Sequence, residues 1–186
     1  MRATIDLIRL TRPLNLLIIV LTMYAMRFGI MRSILELSQT DFELQLSEGS
    51  FLLSVIVMVL LAAAGNIIND YFDVRVDRIN KPERVLVGRT VKRRVAMVAH
   101  HSLNLLAVFI SLYLAWKAGI WILFMVPVFM AGSLWSYSLS FKRQFWIGNF
   151  IVALMVAIVP LWAGIFEVIE LITAYTSIWD NEIAMA

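Results

Sequence analysis

Cysteine is absent from the 186 residues, which removes disulfides and thiolate chemistry from consideration. Charge is scarce too: Asp, Glu, Lys and Arg make up 16% of the chain against 61% hydrophobic residues, too polar-poor for an ordinary soluble domain. Ser/Gly linkers, internal repeats and low-complexity tracts are missing, so a single domain is expected. Acids thin out toward the C-terminal side, where only Glu167, Glu170, Asp180 and Glu182 follow Phe141. The net charge of +3 would hint at nucleic acid in a soluble protein; here it reads as a topology signal, and no nucleic-acid partner is expected.

What the chain has in abundance is apolar sequence. Five runs, 13–31, 51–68, 95–116, 119–137 and 145–166, approach or reach the roughly 20 residues that cross a bilayer as helix. The expected fold is all-α, a polytopic transmembrane helical bundle with five spans. Arg27 interrupts the first span and is expected to snorkel outward. Thirteen of the 16 basic residues fall in the amino-terminal stretch and the second and third inner loops, leaving only Arg27, Arg32 and Lys117 on the other side. Basic loops stay cytoplasmic, so the amino terminus and the polar segment that directly follows the second span are placed inside.

That inner edge carries the most informative residues. Asn66, Asp70, Asp73 and Asp77 recur at helical spacing and share an arc of roughly 60°, with Asn69 about 60° to one side. Carboxylates about 5–6 Å apart repel one another, so the face calls for a positive partner. Asp70, Asp73 and Asp77 have the chemistry that holds Mg²⁺, which takes one or two carboxylates together with the oxygens of a phosphorylated substrate. The competing reading is a solvated helix end whose acids pair with Arg75, Arg78 and Arg84.

Pro82 should end this helix, because it lacks an amide hydrogen and restricts Lys81 to extended geometry. Gly88 is suited to a tight turn that folds Lys81, Arg84 or Arg89 over a bound anion. Lys142 and Arg143 should lie at the level of the aspartates and grip a departing diphosphate. His100, His101 and Asn104 lie near the inner end of the third span, where a neutral histidine that satisfies a polar group of a neighbouring helix is expected ahead of acid–base or metal work; neither histidine carries an assigned role. The run Ala62 to Gly65 should let another helix approach closely.

At this point the chain resembles the UbiA family of intramembrane prenyltransferases. Asn69-Asp70-x-x-Asp73-x-x-x-Asp77 is similar to the family's first aspartate motif, and Arg78 through Lys81-Pro82-Glu83-Arg84, with Gly88, is similar to its continuation. Arg12-Pro13-x-Asn15 resembles the opening of the family's first helix. Tyr137-Ser138, Lys142-Arg143 and Gly148-Asn149 resemble the segment between its fourth and fifth helices. The resemblance implies a transferase that binds a polyprenyl diphosphate through Mg²⁺ and alkylates a hydrophobic acceptor held in the lipid bilayer, an aromatic ring or lipid precursor. Asp70 and Asp73 become catalytic and metal residues, Asp77 a further metal ligand, and Asn66, Asn69, Arg84, Lys142 and Asn15 substrate-binding residues. Tyr71 and Tyr137 are candidates to stabilise an allylic cation through their ring faces. The wording of the first helix and of the Lys-Pro-Glu-Arg loop resembles geranylgeranylglycerol-phosphate transferases, and a bacterial plasma membrane is the expected location.

The family's fold has about nine membrane helices and a second aspartate-rich motif. Residues 1–186 are therefore expected to form a single membrane domain, an amino-terminal portion truncated on its C-terminal side. Two rival functions stand beside the transferase: a non-catalytic prenyl-diphosphate or cation-binding protein, including an inactive fragment, and a transporter subunit with the acids lining a cation path.

Overall fold

The computed structural model describes residues 2–38 and 42–185. A short amphipathic helix, α1 (Arg2–Leu10), precedes α2 (Pro13–Tyr24), which runs through a π-helical segment (Ala25–Met31) into α3 (Arg32–Leu37). Then come α4 (Glu48–Asn80), α5 (Arg93–Lys117), α6 (Met125–Leu139) and α7 (Phe145–Met185), with 3-10 turns at Pro82–Arg84, Trp121–Phe124 and Phe141–Arg143. Among the described residues there is no strand, only an isolated bridge between Val87 and Val91. Five stretches are long and apolar enough to cross a membrane: Pro13–Leu37, Glu48–Asn80, Arg93–Lys117, Trp121–Leu139 and Phe145–Thr176. Each overlaps an expected span, and α4 and α7 continue well past theirs.

α4 is the hub. Of its apolar stretch 56% is buried, against 17–33% for the other four spans, so it packs into the bundle more fully than any of them. Small residues allow that crowding. A Cβ added at Gly65 would stand 3.1 Å from Leu134 Cδ1 of α6, as the Ala62 to Gly65 run suggested. α5 buries Ala96, His100, Ala107 and Ser111, a stripe at helical spacing. His100 Nδ1 meets Ala64 O of α4 at 2.9 Å while Asn104 Nδ2 reaches His100 Nε2 at 3.1 Å. His100 thus satisfies a carbonyl of the neighbouring helix, the part expected of a histidine at this level. His101 instead bonds back to Met97 O in its own helix.

α4 ends at Asn80, directly before Lys81 and Pro82, where the missing amide and pre-proline geometry stop it. The following loop buries Val85, Val87 and Val91 against Leu10, Ile67 and Val74. Gly88 makes the turn at φ 81°, a backbone region that costs glycine little.

Arg27 corrects an expectation. It does not snorkel; it is 1% exposed, with ion pairs of 3.2 Å to Glu167 and 3.2 Å to Glu48, and it donates to Leu46 O. Glu167 is itself fully buried and accepts the backbone N–H groups of Gln45 and Leu46. Gln45 and Leu46, just before α4, thus lie against Glu167 and Arg27 and supply what solvent would otherwise provide. An ionisable side chain in a span is stable when it faces the bundle interior and is paired there.

Candidate active site

The aspartate stripe keeps its register because α4 stays helical through it, so Asp70 and Asp73 stand one turn beyond Asn66 and Asn69 respectively. All four are half-buried. The partners of the two acids come from distant elements. Arg12 Nη2 lies 2.6 Å from Asp70 Oδ1, and Lys142 Nζ is ion-paired with Asp73 Oδ1. Arg75, Arg78 and Arg84 are exposed and do not make the pairs that a solvated helix end would have shown.

Each cation is held in place by local chain geometry. Arg12 caps α2 in a left-handed conformation at φ 55°, and the Thr11 carbonyl before it accepts Asn66 Nδ2 at 2.8 Å. Lys142 sits on the turn Phe141–Arg143, which packs against the first turns of α7 at Gly148. A Cβ there would lie 2.8 Å from Phe141 O, so a glycine is required for this close approach.

Between α2, α4, α6 and α7 lies a cavity of about 460 Å³. Arg12, Asn15, Asn66, Asn69, Tyr137 and Ser138 form its polar end. Ile19, Thr22, Met58, Met130, Met155 and Val159 are among the residues of its apolar depth. From Asn69 to Met58 is roughly 16 Å along α4 at about 1.5 Å per residue. A charged head at the mouth and a hydrocarbon tail beneath it match this polarity gradient.

The predicted residues are placed unequally. Asn15, Asn66 and Asn69 line the cavity; Asp70 reaches it through its ion pair with the lining residue Arg12, while Lys142 and Asp73 stand outside the lining, Asp73 one turn beyond Asn69. Asp77 lies one turn beyond Asp73 and is half-buried. Among the described residues no three His, Asp or Glu side chains converge as a metal cluster. An Mg²⁺ ion nevertheless suits Asp70 and Asp73: one or two carboxylates suffice when substrate oxygens complete the shell, and both acids already carry a cation from another element. Arg84 is exposed on the Pro82–Arg84 turn. Tyr137 is in the cavity wall, whereas Arg93 lies 4.6 Å over the ring of Tyr71, which is packed in the loop core. Asn104 and Asn149 do not line the cavity. Arg12 was missed as a site residue; its one sequence signal is position, a cation immediately before the proline that opens an apolar helix.

The UbiA prenyltransferase family model matches residues 39–179. A digeranylgeranylglyceryl phosphate synthase of Methanococcus maripaludis is 29% identical over 161 residues, covering 83% of this chain and 53% of the relative. The synthases of Methanocaldococcus jannaschii and Thermococcus kodakarensis are 33% and 35% identical, over 79% and 61% of this chain and 52% and 39% of their own. A solved structure from work on digeranylgeranylglyceryl phosphate synthase in membranes superposes with a TM-score of 0.70 at 28% identity, over 98% of this chain and 62% of that one. The chain therefore spans about half the length of the curated relatives it matches, or less.

Proposed function

The chain belongs to the UbiA prenyltransferase family and is an integral membrane protein; from that premise we propose that its cavity binds a polyprenyl diphosphate for Mg²⁺-dependent transfer to a lipid-precursor hydroxyl. The relatives' name points to geranylgeranyl as the donor group and a glycerol-phosphate ether-lipid precursor as the acceptor. The observation that carries the reading is the cavity itself, an apolar slot whose polar mouth opens beside two acid–cation pairs.

In this reading Asp70 and Asp73 hold the divalent ion, and Asp77 adds negative charge one turn away. Mg²⁺, when bound, supplies positive charge for the leaving diphosphate. Lys142 contacts diphosphate oxygens, and its charge offsets the negative charge that grows as the allylic carbon–oxygen bond breaks. Arg84, on an exposed turn, closes over the anion from outside. Asn66 and Asn69 orient the head group, with Asn15 beside them. The aliphatic wall keeps water from the allylic carbon, and Tyr137 offers its ring face to the developing cation. The acceptor oxygen then bonds to that carbon, and its proton leaves with the released diphosphate.

The positive-inside pattern supports a mouth that faces the cytoplasm, where a water-soluble metal and diphosphate head would meet it. Arg12 and Lys142 seated on the acids argue against an open cation path. The test is to reconstitute the protein in nanodiscs and measure retention of radiolabelled geranylgeranyl diphosphate with and without Mg²⁺. Binding that requires Mg²⁺ and is lost in Asp73→Asn supports the reading; metal-independent binding unaffected by that change would refute it.

A further inference from the structure

Arg12 is the only non-glycine residue with positive φ among the described residues, at φ 55° and ψ 68°. Left-handed backbone is unfavourable for a residue with a Cβ, and the following proline disfavours compact helical geometry further. Such strain persists where surrounding contacts over-determine it. Those contacts are visible. Asn66 of α4 holds the Thr11 carbonyl at 2.8 Å, and Asp70, one turn on, holds the Arg12 guanidinium at 2.6 Å. The bend between α1 and α2 therefore delivers a cation to the first acid of the stripe. Arg12 also lines the cavity mouth, and its side chain remains 45% exposed, so its backbone is anchored while its guanidinium, paired with Asp70, stays open to the mouth.

Building on the reading above, we propose that Arg12 is an exchangeable counterion: it neutralises Asp70 in the ligand-free site, then yields that carboxylate to the divalent cation and turns its guanidinium onto the diphosphate. Asp70 Oδ1 cannot serve the guanidinium and a divalent cation at full strength together, because two positive centres on one oxygen repel. A diphosphate entering with the metal gives the displaced guanidinium new partners, since its planar fork suits phosphate oxygens. Metal alone must then displace Arg12 with nothing in return, whereas metal and diphosphate together leave every charge paired. The two ligands accordingly tighten each other's binding, and reciprocity requires the same factor in both directions.

The experiment uses the protein in nanodiscs, with Mn²⁺ followed by electron paramagnetic resonance and geranylgeranyl thiolodiphosphate as an unreactive head-group probe. In the unmutated protein each ligand should tighten the other at least about fivefold. Arg12→Gln should bind Mn²⁺ alone about fivefold or more tightly, bind the thiolodiphosphate more weakly, and lose most of the coupling. Arg12→Lys should shift both affinities in the same directions by less, and it preserves the charge if Arg12→Gln fails to fold. A merely structural Arg12 would weaken both ligands together. Unchanged Mn²⁺ affinity in folded Arg12→Gln, or no coupling in the unmutated protein, overturns the exchange. If Asp70→Asn and Asp73→Asn also leave Mn²⁺ and thiolodiphosphate binding intact, the metal–diphosphate reading falls with it; if those two variants abolish binding, only the exchange is lost.

Discussion

Arg27 Nε lies 3.2 Å from Glu167 Oε2, with both side chains buried to within 2% of full enclosure. The pair joins the π-helical segment to α7, and the Arg27 guanidinium also stacks 4.5 Å over the ring of Phe51. Removing one member of such a pair strands the other charge in a low-dielectric interior, which costs about 3–5 kcal/mol. Arg27→Met takes from Glu167 its ion-pair partner and should therefore lower the unfolding midpoint of the detergent-solubilised protein sharply. Replacing both, as Arg27→Met with Glu167→Gln, should recover much of the loss, because the glutamine side-chain oxygen still accepts the Gln45 and Leu46 N–H groups. A single variant as stable as the parent would show that the pair is not needed for folding.

Gly148 governs the other end of the molecule. A side chain there meets the Phe141 carbonyl at 2.8 Å, so Gly148→Ala must push away the turn that carries Lys142. Overpacking of this kind costs roughly 1–3 kcal/mol, and the displaced Lys142 should weaken diphosphate binding about tenfold, a loss of about 1.4 kcal/mol. Titration of nanodiscs with geranylgeranyl diphosphate measures the second effect. If Gly148→Ala binds as the parent does, the turn does not position Lys142.

Lys142 and Arg84 separate by their surroundings. Lys142 is ion-paired to Asp73 with 18% of its side chain exposed, while Arg84 stands on an exposed turn. On the proposed reading Lys142 contacts the diphosphate from a partly enclosed position beside Asp73 and Arg84 from outside, so Lys142→Ala should cost more affinity than Arg84→Ala. The ordering is read from the two dissociation constants in the presence of Mg²⁺. Equal losses would place Arg84 as deeply in the site as Lys142.

Much of this arrangement is legible in local sequence. The spacing of Asp70, Asp73 and Asp77 fixes their common face once α4 is helical, and Pro82 fixes where that helix stops. The partners are another matter. Arg12 is 58 residues from Asp70, and Lys142 is 69 from Asp73; no periodicity links positions that only helix packing brings together. Arg27 was misplaced for the same reason. A lone arginine in an apolar run is expected to seek water, and only the returning chain at Gln45 and Leu46, together with Glu167, makes the interior a better place. Tyr71 and Tyr137 looked equivalent by composition and differ because one faces the loop core and the other the cavity.

The cavity's depth should set which prenyl chains fit. Met58 is 1% exposed and lines the apolar part, with Thr22 of α2 and Val159 of α7 also in the wall. One turn further along α4, Trp162 of α7 donates its indole N–H to Ser54 O at 3.2 Å, bridging the two helices. Extra volume at Met58 or Val159 therefore fills space that a long isoprenoid tail needs, while leaving the mouth near Asp70 untouched. Met58→Trp and the milder Val159→Phe should weaken geranylgeranyl diphosphate binding by about tenfold or more, which is about 1.4 kcal/mol for each factor of ten. Dimethylallyl diphosphate, whose tail ends near the mouth, should bind both variants as it binds the parent. Equal weakening of the long and short diphosphates would mean that the tail lies elsewhere than in this cavity.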